Sequence, residues 1–141
     1  VGAPAFLALA GAAAEGVRMP MGPVLVASQL AANHPLKESA LAFADAYAES
    51  FGADTLTSFA AHMYDAVRLI EQAVQYAASA GTLDPADVVA TRAAIRSGLE
   101  EMGPYFGAGG VFDYGGGDHT GLDERAMVMV EVRDGSWALA R

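Results

Sequence analysis

The sequence predicts an α/β protein, or α+β if these 141 residues are taken alone, with helices packed on a small sheet. Two observations carry this. Three windows between residues 35 and 103 repeat their apolar residues every three or four positions, the period of a helix with one buried face. Beyond residue 104 the period shortens, and two strand-like runs flank Asp134-Gly135, the pair that favours a two-residue hairpin turn.

The elements follow in order. Phe6, Leu9, Ala10 and Ala13 predict a helix over 4–15, with Pro4 suited to the first helical position and Gly16 to the stop. Residues 17–27 read as extended, punctuated by Pro20 and Pro23, with a short strand over 24–26. A helix is expected from Pro35, capped by Asn33 or His34. It carries Leu36, Ala40, Phe43, Ala44, Tyr47 and Phe51, and Gly52 ends it. From Thr57 a longer helix places Phe59, Met63, Ala66, Val67, Ile70, Val74 and Ala77 on one stripe, expected to be buried. Asp65, Arg68, Glu71, Gln72 and Gln75 fall outside that stripe.

The next helix is expected from Asp84, with Pro85 in its first turn, Asp87 as a capping-box acid and Leu83 stapled against Val88. Its apolar face runs through Val88, Ile95, Leu99 and Met102 to a stop at Gly103-Pro104. A short strand follows over 111–114, and a hairpin over 126–133 and 136–139. Met127, Met129 and Trp137 are expected to pack in the core and hairpin.

Composition narrows the function. With 53% hydrophobic and 18% charged residues the chain can build a core. Eight basic against seventeen acidic residues give a formal charge of −9, which opposes binding to nucleic acid or to an anionic membrane. There is no cysteine, so disulfides, thiol nucleophiles and cysteine–metal sites are excluded. The apolar start, 1–14, lacks a basic leader and does not read as a signal peptide. Because the first residue is valine, the chain is expected to be processed or to be a segment of something longer.

No catalytic constellation emerges. Gly115-Gly116-Gly117 and Gly107-Ala108-Gly109-Gly110 fit neither GxxxxGK[ST] nor GxGxxG, and the first leads to Asp118-His119 and a strand where a phosphate loop needs a helix. Asp113, Asp118, His119 and Asp123 match no calcium loop, and His34 and His62 lie far from them. GGGDH is therefore read as a turn between strands, with Asp118 and His119 bonded to the local backbone. No serine sits in GxSxG, and the acid pairs Glu100-Glu101 and Asp123-Glu124 suit a solvated surface. No metal and no cofactor is expected.

Four pieces taken together carry a resemblance. They are AAAEGV at 12–17 followed by a proline-broken strand, FAAHMYDA at 59–66 opening a long helix, GAGGVFD at 107–113, and Gly117-Asp118-His119 with the Asp134-Gly135 hairpin. In this order they resemble the periplasmic type I solute-binding proteins, specifically the branched-chain amino-acid and related carboxylate binding proteins of ABC transporters. The resemblance implies two lobes joined by a hinge and closing on a small ligand, with no enzymatic activity. It makes the chain a single C-terminal fragment: 1–22 the end of the second lobe and the hinge crossover, 23–120 first-lobe helices and strand, 121–141 the C-terminal hairpin. It places the acidic grip on a ligand ammonium and the serine/threonine grip on its carboxylate before Val1. Among residues present, Phe59 corresponds to an aromatic wall of the ligand side chain, His62 could line the same edge, and Tyr64-Asp65 is a fold element.

The leading expectation is the binding component of an ABC importer, located in the periplasm. Its partners would be a small-molecule ligand, an amino acid or small carboxylate, and a transporter permease. The isolated fragment would also self-associate through the faces left exposed. Two alternatives stand beside it: a ligand-sensing regulatory module of the same fold, and an unrecognised α+β enzyme or interaction domain.

Overall fold

The computed structural model describes residues 4–140. The chain opens with α1 (Pro4–Ala10), which passes at Gly11 into a tighter 3₁₀ turn, Gly11–Ala14. Gly11 and Gly16 both take positive φ, so the single helix expected over 4–15 is broken in the middle and ended by glycine. Strand β1 is Arg18–Met21. The expected strand over 24–26 is instead a 3₁₀ run, Pro23–Gln29. Pro23 fixes the helical φ at its start, and Val24 and Val26 are buried within it.

Helix α2 (Lys37–Phe51) begins two residues later than the sequence suggests. His34 accepts the Leu36 N–H through Nδ1 at 3.2 Å, and Gly52 closes the helix at φ 87. Helix α3 (Ser58–Ser79) is capped by the Thr57 hydroxyl, which accepts the Ala60 N–H. Helix α4 (Val88–Glu101) is capped by Asp87, which accepts from Val89 and Ala90. Asp87 is thus the N-cap itself, because Asp84 and Pro85 are spent in a turn whose carboxylate takes the Ala86 N–H. Val88, expected to be stapled, is exposed.

Strands β2 (Tyr105–Phe106) and β3 (Val111–Phe112) form a two-residue antiparallel pair, of which β2 was not anticipated. Strands β4 (Val128–Arg133) and β5 (Ser136–Leu139) form the expected hairpin. Asp134 at φ 52 and Gly135 at φ 69 turn it, the left-handed pair that Asp-Gly supplies. The sheet order is β1-β4-β5, all antiparallel, so Pro20 sits in an edge strand where its missing N–H costs no ladder bond. Gln29 brackets the outer side of β5, donating to the Trp137 carbonyl and accepting from the Leu139 N–H.

Two apolar clusters result. Met21, Val26 and Val130, with Trp137, Val128 and Leu139, fill the sheet face, and Phe6 stacks on Trp137 at 5.8 Å. Val24, Leu56, Ala61 and Ala108, with Phe43 and Tyr47, fill the helical side, and Leu25 packs against both. Helices α3 and α4 cross closely where Gly98 meets Ala73: a Cβ on Gly98 would stand 2.7 Å from the Ala73 carbonyl oxygen.

Two expectations about burial are overturned. In β4 the inward side belongs to Val130 and Val132, so period-two alternation turns Met129 out, and Met127 is exposed as well. In α3 the buried line is Ala61, Asp65, Leu69, Ala73 and Ala77. Of the predicted stripe, only Ala77 belongs to it; Phe59 (69%), Met63 (67%), Val67 (62%) and Ile70 (53%) are exposed. The small residues face inward because α3 must approach α4 and the 107–110 loop at backbone distance, which large side chains would prevent.

Candidate functional site

The start of α3, the glycine-rich loop 107–110 and the crossover after β1 converge at one place. Its anchor is Asp65, fully buried, whose two carboxylate oxygens each accept a backbone N–H: Ala108 to Oδ1 and Gly109 to Oδ2, both at 2.7 Å. The loop can approach this closely only as glycine. A Cβ on Gly107 would lie 2.5 Å from the carboxylate, and one on Gly109 3.1 Å from Oδ2. Ser39 on α2 donates to the Gly107 carbonyl at 2.6 Å, and Gly107 N–H closes the loop onto Gly110 at 2.9 Å. Burial pushes the Asp65 carboxyl above its ordinary value, while the Ala108 and Gly109 amides and the nearby His62 oppose the rise. Tyr105, beside this site, is pushed up to about 12 by burial and by the Asp65 and Tyr64 charges, against Arg68.

His62 is half-buried on the same helix, one turn before Asp65. Its Nδ1 lies 2.7 Å from the Ser58 carbonyl oxygen, which makes Nδ1 the donor and leaves the lone pair of a neutral ring on Nε2. The ring meets Phe112 edge-on at 6.4 Å. A Cβ on Gly22 would stand 3.1 Å from the Gly109 carbonyl oxygen and 3.7 Å from His62 Cε1, so helix, loop and crossover touch here. An apolar depression of ≈ 200 Å³ opens beside it, lined by His62, Leu69, Ile70, Leu99, Phe112 and Tyr114. Phe59, one turn before His62, is exposed at the head of α3 and does not line this depression.

The arrangement is suited to holding and not to reacting. Asp65 is committed to two amides, and among the described residues no group of three or more histidine and acidic side chains could hold a metal ion. Gly115–Gly117 forms a 3₁₀ turn with Gly117 at φ 85, and Asp118 accepts the Thr120 N–H, as expected for a turn. His119 instead lies 3.5 Å from the Glu100 carboxylate, not against backbone. No described helix is long and apolar enough to cross a membrane. Sequence periodicity missed Asp65, which it placed on a polar face; the Tyr-Asp-Ala string was the one signal that could have found it.

The periplasmic binding protein family matches residues 1–136, and the chain belongs to that family. The family is one of ligand-binding receptors, not enzymes, and its type I fold accounts for helices set against small sheets. A solved Rhodopseudomonas palustris protein is 30% identical with a TM-score of 0.87, covering 99% of this chain and 38% of its own. An extracellular ligand-binding receptor from Rhodopseudomonas palustris HaA2 is 28% identical, with a TM-score of 0.88 and the same coverage. A protein described as a putative branched-chain amino acid ABC transporter from Rhodospirillum rubrum is 28% identical, with a TM-score of 0.62, over 98% of this chain and 34% of its own. The chain therefore spans little more than a third of the solved structures it resembles. No curated protein matches it.

Proposed function

We propose that this chain is the C-terminal part of the substrate-binding component of an ABC importer, acting in the periplasm on branched-chain amino acids or related small carboxylates. The loaded receptor would deliver its ligand to a transporter permease. The observation that carries the reading is the likeness to the Rhodospirillum rubrum protein along 98% of the chain, joined to an apolar, chemically unarmed site. Receptors of this kind need a shaped apolar wall, a few fixed polar groups and a closure favoured by bound ligand.

Phe59 and His62 form one edge of the ligand site in this reading. Phe59 offers its ring from the head of α3, and His62 offers Nε2 from a position held by Ser58, Gly22 and Gly109. Residues 1–22 then supply the end of the second lobe and the crossover, 23–120 the first lobe, and 121–141 the returning hairpin. The pairing of β1 with β4 supports the link between the first and last of these.

Titration calorimetry on the full receptor tests the proposal with leucine, isoleucine, valine, phenylalanine and a simple 2-oxo acid. Binding of at least one is expected, with Phe59→Ala weakening it by at least about tenfold, or about 1.4 kcal/mol. His62→Ala should weaken it less. Full affinity in both variants would remove these residues from the site, and no heat with any probe would sink the ligand class.

A further inference from the structure

A second cavity lies between α2, α3 and strand β2, across α3 from the depression beside His62. Two residues along a helix turn the side chain by about 200°, so Tyr64 and Arg68 stand nearly opposite His62 and Ala66. The cavity measures ≈ 220 Å³, and its lining includes Ser39, Phe43, Tyr64, Arg68, Tyr105 and Ala108. The Phe43 and Tyr64 rings lie 4.9 Å apart between centroids. The Tyr105 phenol, pushed up to about 12 chiefly by burial, keeps its proton and remains a donor. The wall behind the rings is fixed: Asp65 holds the Ala108 amide at 2.7 Å, and Ser39 donates to the Gly107 carbonyl at 2.6 Å. The chain has seventeen acidic and eight basic residues, yet the lining holds one charged side chain, and it is Arg68. Glu71 takes the Arg68 Nη1, which leaves Nε and Nη2 without an acidic partner among the described residues.

We propose that this cavity is a second ligand site, separate from the His62 edge, and that it takes a small monocarboxylate with a flat apolar body. The Nε and Nη2 donors form the edge of a guanidinium that grips a carboxylate through two parallel hydrogen bonds. Phe43, Tyr64 and Tyr105 supply ring surface for the body, which a compact hydrated anion such as phosphate would leave unused. The lack of an acidic side chain in the lining turns away a cation or a free amine. Size limits the occupant further, because the cavity is smaller than the range of about 300–1,000 Å³ usual for larger organic ligands. Nothing in this assignment depends on which ligand the His62 edge takes. The two sites share only the loop 107–110, which the cavity touches at Ala108 and His62 meets at Gly109.

Sodium benzoate is the probe, titrated into the full receptor by calorimetry at constant ionic strength. Three variants are compared with the native protein: Arg68→Gln, Phe43→Leu and Phe59→Ala. Benzoate is expected to bind, to lose at least about tenfold in affinity with Arg68→Gln, and to bind Phe59→Ala as it binds the native receptor. Phe43→Leu keeps an apolar side chain in the helical cluster but removes the ring, and it should weaken benzoate in the same direction. It carries the test alone should Arg68→Gln fail to give a folded circular-dichroism spectrum. No benzoate heat in the native receptor would overturn the proposal. So would native affinity in Arg68→Gln and Phe43→Leu, or a loss confined to Phe59→Ala, which would move the probe to the His62 edge. The amino-acid titrations are read separately on Arg68→Gln. Retained amino-acid heat beside lost benzoate heat is expected, whereas absence of amino-acid heat from the native receptor would count against the importer reading and leave this site standing.

Discussion

Asp65→Asn separates a structural latch from a decorative acid. In the native chain both carboxylate oxygens accept a buried amide at 2.7 Å. Asparagine keeps one acceptor and turns its amide nitrogen towards the other N–H, so one bond disappears and the second loses its charge. A hydrogen bond to a charged group contributes about 1.5–3 kcal/mol, and a buried N–H left without an acceptor costs about 1–3 kcal/mol. The relief of no longer burying a charge, which the raised Asp65 carboxyl registers, offsets part of this. The net loss comes to about 2 kcal/mol. With a urea dependence of about 1.5 kcal/mol/M, the unfolding midpoint falls by a little over 1 M. Urea titration followed by far-ultraviolet circular dichroism reads that shift, and hydrogen exchange reads the Ala108 and Gly109 amides directly. A midpoint within about 0.3 M of the native one, with both amides as protected as before, would refute the latch.

Three further outcomes follow from the same geometry. Because burial raises the Asp65 carboxyl in the folded chain, the proton-linked part of its contribution is fully present below the ordinary value of 3.8 and is lost as pH rises through the raised one, the two amide bonds persisting; Asp65→Asn should remove that falling arm from a stability–pH profile. Glu131 behaves in the opposite sense. Hydrogen bonding from Arg18, with its Nε at 2.6 Å, holds the carboxyl below 4.5, so the stabilisation relative to Glu131→Gln is present above that value and disappears as pH falls through the lowered one. Gly98→Val must push α3 from α4, since even a Cβ would stand 2.7 Å from the Ala73 carbonyl oxygen; a loss of about 1–3 kcal/mol in chemical denaturation is expected.

The relation between sequence and structure differs from element to element. The hairpin was legible because Asp134-Gly135 is a local instruction, satisfied by two residues in the left-handed region whatever surrounds them. Thr57 as the start of α3 and Gly52 as the end of α2 were legible for the same reason. The 3₁₀ run at 23–29 was not, because buried valines satisfy a strand pattern and a tight helical turn equally well. Asp65 was placed on a polar face, yet it is the most deeply held acid among the described residues, since its two donors come from a loop more than forty positions away.

By itself the sequence determined the helical and strand periods, most of their caps, the absence of thiol chemistry and the family resemblance that the comparison with known proteins bears out. These are properties of short range or of composition, and they need no partner to be true. Only the tertiary structure decided which side of each element turns inward. A period fixes that an element has an apolar face; it does not say which layer that face will meet. In α3 the interior went to three alanines, Asp65 and Leu69, with small residues at the points where α3 approaches α4 and the 107–110 loop most closely. The larger apolar side chains Phe59, Met63, Val67 and Ile70 were left facing outward.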